Sequence, residues 1–297
     1  MNKPNPFALD RAQLRPAFER VAHSYDAAAG LQREVADRLL ERLEVVRLAP
    51  ALVLDVGCGT GYGSDLLARR YRGARVIGVD LAQAMLHRAR RRSWWRLSAR
   101  RRRFVCGDAH QLPFVAASVD LIFSNLTLQW CQPQVAFAEF RRVLRPGGLF
   151  LFTTFGPDTL KELRAAWSAV DNNPHVHSFL DLRDVGDLLL QSDFADPVVD
   201  VERLTLNYPT VFDVLCELKR IGAHNVAQYR ARGLTGKHRF NQFRRSYEAM
   251  AVEGRIPATY EVVFGHAWLA SGDRPRPRAH ERAEAVIPLS TIRRRHG

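Results

Sequence analysis

Apolar segments alternate with helical segments throughout residues 50–155, and this order limits the fold more than any other feature of the chain. Five short runs have the length and composition of buried strands, namely "ALVLDVG", "ARVIGVD", "RFVCGD", "SVDLIFSN" and "LFLFTTF". The segments between them, such as "SDLLARRY", "AQAMLHRARRR" and "PQVAFAEFRRVL", are typical of helices. Strands that alternate with helices form a parallel sheet through right-handed crossovers. The chain is therefore predicted to adopt an α/β fold with a doubly wound, Rossmann-like sheet that is covered on both faces.

The rest of the chain is predicted to extend this sheet and to cover it. Residues 1–48 are predicted to form an N-terminal helical segment, because apolar residues recur at helical spacing from Leu31 to Val46. The main domain is expected to span residues 49–271, with an antiparallel final strand, "TYEVVFGHAWLA", in a mostly parallel sheet. A helical insertion at about residues 210–255 is expected to cover the ligand crevice. The tail, residues 272–297, contains Arg-Pro pairs and is expected to be basic and flexible.

The formal net charge of +13 is concentrated in two segments. Residues 88–103 contain nine arginines and no acid, and residues 269–297 contain seven arginines and three acids, which leaves the rest of the chain near neutral. A neutral body argues against a fold whose surface binds nucleic acid. A run of arginines is most often a solvated surface, and the alternative is a docking site for an acidic partner.

Cysteine usage and hydropathy indicate a cytoplasmic protein. Cys58, Cys106, Cys131 and Cys216 stand apart with no C-x-x-C pair, which predicts neither a disulfide framework nor a structural zinc site. No apolar run approaches the roughly 20 residues that a membrane span requires. The first residues lack the basic-then-apolar pattern of a secretory signal. Neither a metal nor a membrane is therefore expected among the ligands and partners.

The glycine-rich segment "LDVGCGTGYG", residues 54–63, follows the first predicted strand. Its glycines lack the G-x-G-x-x-G spacing of dinucleotide-binding turns, and the phosphate-binding G-x-x-x-x-G-K-[ST] pattern is absent as well. What is present is G-x-G-x-G, at Gly57, Gly59 and Gly61, with Asp55 two residues before it. A carboxylate in that position repels a pyrophosphate and favours a ligand with an ammonium group. The glycines alone would also fit a tight turn between a strand and a helix.

Polar residues at the ends of the next strands predict the remainder of this ligand. Asp80 ends the second strand about 20 residues after the glycine turn, a separation that places a carboxylate on ribose hydroxyls. Asp108, in "GDAHQLPF" after the third strand, can accept a hydrogen bond from an adenine amino group, with Ala109 beside it. Together these residues predict S-adenosylmethionine, a nucleoside with a cationic amino-acid arm and no phosphate. Asp80 and Asp108 would each also suit a helix N-cap.

This pattern resembles that of the class I S-adenosylmethionine-dependent methyltransferases over roughly residues 50–155. All the residues concerned follow predicted strands, so they are expected to meet in one crevice at the carboxyl ends of the sheet. The resemblance implies that Asp55, Gly57 and Gly59 line the methionine moiety and that Gly61 also belongs to the cofactor site. It implies that Asp80 and Leu81 meet the ribose, that Asp108 and Ala109 meet the adenine, and that Asn125 and Leu126 form the edge nearest the sulfonium.

The segment "SNLTLQWC", residues 124–131, bears on the atom that receives the methyl group. Amine-methylating enzymes typically carry an Asn-Pro-Pro-aromatic run here, and this chain does not. A Pro-Cys nucleophile is absent too, and Cys131 is interpreted as a small buried residue. An oxygen acceptor is therefore favoured over an exocyclic amine or a base carbon.

Several longer blocks resemble the malonyl-acyl carrier protein O-methyltransferases of biotin synthesis. They extend from about Ala17 to Trp268 and include "AFERVAHSYDAAAGLQREVADRLL", "LRPGGLFLFTTFGPDTLKELRAAW", "FLDLRDVGDLLL", "ELKRIGAHN" and "PATYEVVFGHAW". The "FGPDTLKEL" and "GHAW" blocks are much more specific than the glycine turn. Two segments depart from the family pattern, the arginine-rich residues 88–103 and the tail after Ala270.

The resemblance implies methyl transfer to the free carboxylate of malonyl-acyl carrier protein, an acidic partner, at the start of pimeloyl-chain synthesis for biotin. We expect Tyr25 to donate a hydrogen bond to that carboxylate, with Trp130 and Phe155 as walls of the acceptor site. Tyr25 and Trp130 would also suit ordinary core packing. His266, in the "GHAW" block, is interpreted as a hydrogen-bonded core residue.

Basic residues outside the glycine crevice are candidates for binding the acceptor and its carrier. Lys219, Arg220 or Arg230, in or near the covering helices, is predicted to pair with the substrate carboxylate, against the alternative of a solvated surface charge. Either residues 88–103 or the set Arg239, Arg244 and Arg245 is predicted to attract the acidic carrier protein.

Other acceptors also fit the cofactor pattern. An O-methyltransferase of another small carboxylic acid or of a quinone-like compound would use the same fold. Trp94 and Trp95 lie inside the arginine run, and basic grooves with stacking aromatics bind single strands, which would suit an RNA methyltransferase. The neutral body and the missing amine motif make nucleic acid the less favoured partner. A scaffold protein that binds the cofactor without catalysis is a further alternative.

Overall fold

The computed structural model describes residues 9–92, 101–223, 225–227, 233 and 235–271. Within these ranges the chain forms one seven-stranded sheet. Its strands are β1 (Leu52–Val56), β2 (Arg75–Asp80), β3 (Arg102–Cys106), β4 (Val119–Ser124), β5 (Leu144–Phe155), β6 (Phe194–Tyr208) and β7 (Ile256–Leu269). They are ordered β3-β2-β1-β4-β5-β7-β6, and β7 is the one strand among them that runs in the direction opposite to the others. The predicted fold class, with its antiparallel final strand, is confirmed.

Helices cover both faces of this sheet. They are α1 (Leu14–Val21), α2 (Tyr25–Ala28), α3 (Gly30–Glu41), α4 (Tyr62–Arg70), α5 (Gln83–Arg91), α6 (Pro133–Val143), α7 (Lys161–Ser168), α8 (Leu182–Gln191), α9 (Val211–Arg220) and α10 (Lys237–Glu248). In that part of the chain no helix is long and apolar enough to cross a membrane.

Alternate residues of the central strands enter two separate hydrophobic cores. In β1, Val53 packs with residues of α3, α4, α7, α9 and α10, whereas the next residue, Leu54, packs with α6 and α8. Leu121 and Ile122 of β4 divide in the same way. Successive side chains of a strand point to opposite faces, so strands that are apolar at every position must be covered on both sides.

Several element boundaries differ from the sequence prediction. The apolar stripe was expected to continue one helix to Val46, but α3 ends at Glu41, a tighter 3-10 turn follows, and Val46 is extended. Strand β5 begins at Leu144, which pairs with Val119, and a change of register then accommodates the Pro-Gly-Gly segment. The N-terminal segment was predicted to be helical, but its division into α1, α2 and α3 was not, and α7, a helix of eight residues, was not predicted.

The long connection between β6 and β7 brings helices to the ligand edge of the sheet. It contains α9 and α10, which pack on the core side shared with α3 and α7. Ile221 and Ala223, just after α9, reach the cleft described below. The N-terminal segment joins the same cover, because Leu9 pairs with Ala227 and the Asp10 amide donates to the Val226 carbonyl oxygen.

Part of the arginine-rich run has a structural role. Arg102, in β3, is buried and forms an ion pair with Asp65 at 3.0 Å. Arg92, after α5, pairs with Asp26 at 3.3 Å. Residues 93–100 and the tail, residues 272–297, lie outside the described residues.

A glycine in the middle of β7 provides a test of the core packing. A Cβ atom on Gly265 would lie 2.3 Å from Cζ of Phe152, a fully buried ring that stacks on Phe150. Gly265→Ala is therefore expected to lower the free energy of unfolding by about 1–3 kcal/mol, the usual cost of overpacking. Urea denaturation monitored by circular dichroism measures this change.

Gly186→Ala is the matched control. A Cβ atom at this position, inside α8, would meet only Cγ2 of Val199 at 3.7 Å, an ordinary contact. Alanine in a helix is favoured over glycine by about 0.5–1 kcal/mol, so this variant is expected to be as stable as the parent or more so. Equal stability of the two variants would contradict the proposed packing at Gly265.

Candidate active site

A cleft lies at the carboxyl ends of β1, β2 and β4, beneath the N-terminal segment. Its empty volume, open mouth included, is about 1320 Å³. The residues predicted from the sequence converge here: the lining includes Tyr25, Asp55, Gly57, Gly59, Asp80, Leu81, Asp108, Ala109, Asn125, Leu126, Trp130 and Phe155. The sequence-predicted crevice is thus a single site in the structure.

The glycine turn needs glycine for two different reasons. Gly57, Gly59 and Gly61 all have positive φ angles, of 74°, 52° and 82°, which L-residues rarely adopt. Gly57 also lies so close to Thr127 that a Cβ atom would come within 1.9 Å of its Oγ1. Gly61 is different, because it does not line the cleft: a Cβ atom there would meet Ala89, and its N–H donates to the Cys58 carbonyl oxygen at 2.8 Å. The structure therefore gives Gly61 a role in shaping the turn, and its contact with the cofactor stays a prediction.

Asp80 ties the glycine turn to the start of α5. One of its oxygens accepts the Gly59 N–H and the other the Ala82 N–H, each at 2.8 Å. The sequence also suited Asp80 to a helix N-cap, and its contact with Ala82 at the start of α5 is part of that role. Burial raises the pKa of Asp80 to about 6, against the opposing effect of these two hydrogen bonds. The side chain still lines the cleft, where its free lone pairs are available to a ligand.

Asp55 is the most deeply buried acid of the cleft. It is 2 % exposed, and its Oδ2 accepts the Ser64 hydroxyl at 2.6 Å. Burial raises its pKa to about 7, and the charge of Asp80 acts in the same direction. Neither carboxylate forms an ion pair with a residue that the structure describes. Two buried acids without a cation favour a positively charged ligand.

Asp108 is held by two neighbours at the other end of the cleft. Arg11 forms an ion pair with its Oδ2 at 2.6 Å, and the backbone N–H of His110 donates to its Oδ1 at 2.9 Å. Nε2 of His110 accepts the Gln132 N–H at 2.8 Å, and its Nδ1 lies 2.6 Å from the same Oδ1 and 2.7 Å from the Arg11 guanidinium. Burial alone would raise the pKa of Asp108, but these hydrogen bonds lower it, so the side chain is ionised.

The N-terminal segment covers the cleft and is fixed to the domain by side chains. Glu19 accepts the N–H groups of Gln83 and Ala84 at the start of α5, at 2.7 and 2.8 Å. Asp26 accepts the hydroxyl of Thr60, in the glycine turn, at 2.5 Å. These contacts hold α2, and with it Tyr25, over the glycine turn.

Tyr25 faces the cleft as a neutral hydrogen-bond donor. Its ring carbon Cε1 lies 4.0 Å from the position that a Cβ atom on Gly59 would take. Burial raises the pKa of the phenol, and the neighbouring charges of Asp80 and Asp26 raise it further. The hydroxyl therefore keeps its proton at neutral pH.

The cations of the cleft are not those predicted. Lys219 and Arg220 are exposed and do not line it, and Arg230 lies outside the described residues. Arg11 and Arg33 line it instead. Sequence periodicity could have revealed Arg33, because the lining residues of α3 and its start, Ala29, Gln32, Arg33 and Ala36, have the spacing of one helix face.

The loop after β4 is rigid and strained. The Asn125 amide donates to the Gln32 carbonyl oxygen at 2.9 Å and accepts the Thr153 hydroxyl at 2.8 Å, so both ends of this side chain are engaged. Leu126 has a φ of 48°, in the left-handed region, and its N–H donates to Oγ1 of Thr153. Non-glycine residues in this conformation cluster at functional sites. Gln129, which also lines the cleft, donates to the Leu126 carbonyl oxygen at 2.7 Å.

Aromatic rings form one wall of the cleft. Trp130 contacts Phe18 edge-on at 5.8 Å and His177 at 5.1 Å between ring centroids. Phe155 contacts Phe179 at 5.8 Å, and Phe179 in turn contacts His177 at 4.6 Å. His177 was not identified from the sequence. The predicted wall residues Trp130 and Phe155 therefore belong to one continuous aromatic surface.

Cys131, which lines the cleft, has the properties of a buried thiol. Burial raises the pKa of Cys131 to about 12, so its thiol stays protonated. No group of metal-ligating side chains occurs among the described residues. His266 lies on β7 between Leu151 and Val198, away from the cleft lining, and burial lowers its pKa.

Comparisons with known proteins agree with this geometry. The family described as "Methyltransferase domain" matches residues 54–152. The YcgJ protein from Bacillus subtilis, a solved structure, is similar with a TM-score of 0.57 and 20 % sequence identity, over 80 % of this chain and 99 % of that chain. The fold and the cleft define a class I methyltransferase.

Curated relatives show to which family of methyltransferases the chain belongs. The malonyl-[acyl-carrier protein] O-methyltransferase of Gallionella capsiferriformans is 47 % identical over 96 % of this chain and 98 % of its own length. That of Halorhodospira halophila is 48 % identical over 99 % of both chains. The chain belongs to the malonyl-[acyl-carrier protein] O-methyltransferase family.

The raised pKa of Asp55 predicts how binding of the expected cofactor depends on pH. A ligand ammonium group pairs with Asp55 only when this carboxyl group is ionised. Below its pKa of about 7 the carboxyl group is mostly protonated and must lose that proton when the ligand binds. The dissociation constant of S-adenosylhomocysteine, which has the same ammonium group, is expected to rise about tenfold between about pH 8 and pH 6. Isothermal titration calorimetry measures this, and Asp55→Asn should bind more weakly with little pH dependence in the same window. A flat profile for the parent would contradict the assignment.

The same pKa shift acts on the stability of the unliganded protein. Because folding raises the pKa of Asp55 from its ordinary value of 3.8, ionisation opposes folding, and stability is expected to fall as the pH rises from about 4 to about 7. Asp55→Asn removes this contribution and should flatten the stability profile.

Proposed function

We propose that the protein transfers the methyl group of S-adenosylmethionine to the free carboxylate of malonyl-[acyl-carrier protein], the first step of pimeloyl-chain synthesis for biotin. The observation that supports this proposal best is the likeness to enzymes of that name, which extends over 99 % of both chains. It thus includes the N-terminal cover and the aromatic wall, which would form the acceptor side. The glycine turn alone would support only methyl transfer.

Opposite charges in the cleft fit the amino-acid end of the cofactor. Its ammonium group would pair with Asp55, and its carboxylate with Arg33. Arg33 and Asp55 lie at the same end of the cleft. Arg33 donates to the Asp26 carbonyl oxygen at 2.5 Å, and the Asp26 carboxylate accepts from Thr60, in the glycine turn that follows Asp55. The remaining contacts follow the strand ends, with Asp80 and Leu81 at the ribose.

The nucleoside end is proposed to lie at Asp108 and Ala109. Asp108 is ionised and can accept the adenine amino group, and Arg11 has to release one of its oxygens or share it. Asn125 and Leu126, with Gly57 and Gly59, would surround the sulfonium and the methionine chain. The acids repel a phosphate throughout, which fits a nucleoside that carries none.

The reaction needs no general base. S-adenosylmethionine supplies an electrophilic methyl group, and a malonyl carboxylate is already ionised near neutral pH. The residues of the cleft therefore bind, align and exclude water. The neutral Tyr25 hydroxyl would donate to the carboxylate, and Trp130 and Phe155 would remove the water that stabilises separated charges more than the transition state. Alignment of two reactants can contribute about 7–11 kcal/mol.

The cellular setting follows from the same proposal. All four cysteines, Cys58, Cys106, Cys131 and Cys216, are free, as expected in a reducing cytoplasm.

An acidic carrier protein would be attracted by the exposed basic side chains of α10, which include Arg239, Arg244 and Arg245.

Direct transfer to the acyl arm tests the proposed reaction. The protein is incubated with labelled S-adenosylmethionine and malonyl-[acyl-carrier protein], and one added methyl group is expected on the acyl arm by mass spectrometry. Acetyl-[acyl-carrier protein], which has no free carboxylate, is the matched control and should stay unmodified. Label on RNA or on a free acid, with none on the malonyl carrier, would support the alternative acceptors instead.

Two cleft variants separate substrate binding from cofactor binding. Tyr25→Phe is expected to lower kcat at least several-fold with little change in cofactor affinity, because only the donor to the acceptor carboxylate is lost. Arg33→Gln is expected to raise the cofactor dissociation constant about tenfold, a loss of about 1.4 kcal/mol that is typical of a charged hydrogen bond. Calorimetry and steady-state kinetics measure both. Unchanged turnover of Tyr25→Phe would refute the proposed hydrogen bond to the acceptor carboxylate. Unchanged cofactor affinity of Arg33→Gln would refute the proposed contact of Arg33 with the cofactor.

A further inference from the structure

A second cavity adjoins the cofactor cleft on the far side of the aromatic wall. Its empty volume, open mouth included, is about 760 Å³. It lies between the loop after β4, the start of α6, the end of β5 and the segment before α8. Gln129, Cys131 and Phe155 line both cavities, so a ligand in the second cavity is one side chain away from the first.

The chemistry of the second cavity differs from that of the cleft. No charged side chain lines it. Its walls are apolar, from Leu128, Phe137, Phe179 and similar residues, and the polar side chains between them carry only amide and hydroxyl groups: Gln129, Gln132, Gln134, Thr154 and Ser178. Such a lining fits an uncharged ligand segment that contains both amide bonds and methyl groups.

Gln129 presents an unsatisfied acceptor at the shared wall. Its Nε2 donates to the Leu126 carbonyl oxygen at 2.7 Å, which fixes the orientation of the amide. Its Oε1 is buried and has no hydrogen-bond partner among the described residues. A buried carbonyl oxygen in this state favours a ligand that brings an N–H group.

We propose that the second cavity holds the amide-containing arm of a pantetheine thioester, with Oε1 of Gln129 accepting one of its amide N–H groups. The inference rests on the proposed function, since it supplies the route by which a malonyl group on a carrier protein reaches the cleft. The arm is uncharged between its phosphate and its sulfur, and it contains two amides and a dimethyl group, as the lining requires. The malonyl end then passes Phe155 and meets the cofactor from the acceptor side.

A substitution at the rim of the second cavity separates arm binding from chemistry. Ser178 is exposed and lines this cavity alone, so Ser178→Trp fills its mouth without entering the hydrophobic core. Ser168→Trp is the matched control, because Ser168 is exposed on α7 and lines neither cavity. Two thioesters are compared, malonyl-pantetheine, which carries the arm, and the malonyl thioester of methanethiol, which lacks it.

The Ser178→Trp substitution is expected to lower catalytic efficiency only with the arm-bearing substrate. In Ser178→Trp the kcat/KM for malonyl-pantetheine should fall at least about tenfold, a change of about 1.4 kcal/mol, while that for the short thioester changes less than about twofold. Gln129→Leu should raise the KM for malonyl-pantetheine in the same selective manner. The kcat/KM of Ser168→Trp, and the affinity of Ser178→Trp and Ser168→Trp for S-adenosylhomocysteine, should stay unchanged.

Other outcomes overturn the inference or the proposed function, and the two are distinguishable. An equal loss with both thioesters, or no loss with either, would show that the second cavity does not hold the arm. A parent protein that binds S-adenosylhomocysteine but methylates neither thioester nor malonyl-[acyl-carrier protein] would refute the proposed function before any variant is compared. If the parent methylates only the carrier-bound substrate, the same tenfold difference between Ser178→Trp and Ser168→Trp is required with that substrate.

Discussion

Two buried carboxylates organise the ligand edge of this protein. Asp80 binds the Gly59 and Ala82 amides and so joins the glycine turn to α5, while Asp55 fills the space beneath that turn against Ser64. Both acids lack a cation among the described residues, and their raised pKa values record the cost of that arrangement. A fold that keeps unpaired acids at the ends of adjacent strands is predisposed to bind a cation there. The remaining features of the cleft are arranged around this charge.

The frame of the fold could be predicted because its signals are local. Strand composition and glycine spacing lie within a few residues of each other, and parallel topology then brings Asp55, Asp80, Asp108 and Asn125 together. Gly61 shows the limit of that reasoning. Its positive φ and its contact with Ala89 serve the turn itself, and a glycine needed for conformation is indistinguishable in sequence from one needed for a ligand.

Contacts between distant segments could not be predicted in the same way. The ion pair of Arg11 with Asp108 and the hydrogen bond of Asn125 with the Gln32 carbonyl oxygen join residues more than ninety positions apart. No periodicity specifies them. Helix α7 was missed because it begins after Leu160, whose left-handed backbone has no side-chain cap to mark the start. The cavity beside Phe155 likewise depends on how three separate loops meet.

The position of Arg11 links the proposed sites of the two substrates through one element, the N-terminal segment. It belongs to the same N-terminal segment as Tyr25, and it occupies an oxygen of the acid proposed to receive adenine. If adenine binds as proposed, entry of the donor changes the contact of Arg11 with Asp108 and so acts on the segment that also carries the proposed acceptor-binding hydroxyl. Arrival of the nucleoside would then be coupled to assembly of the acceptor pocket, which favours an ordered kinetic scheme with the donor first and the spent donor last.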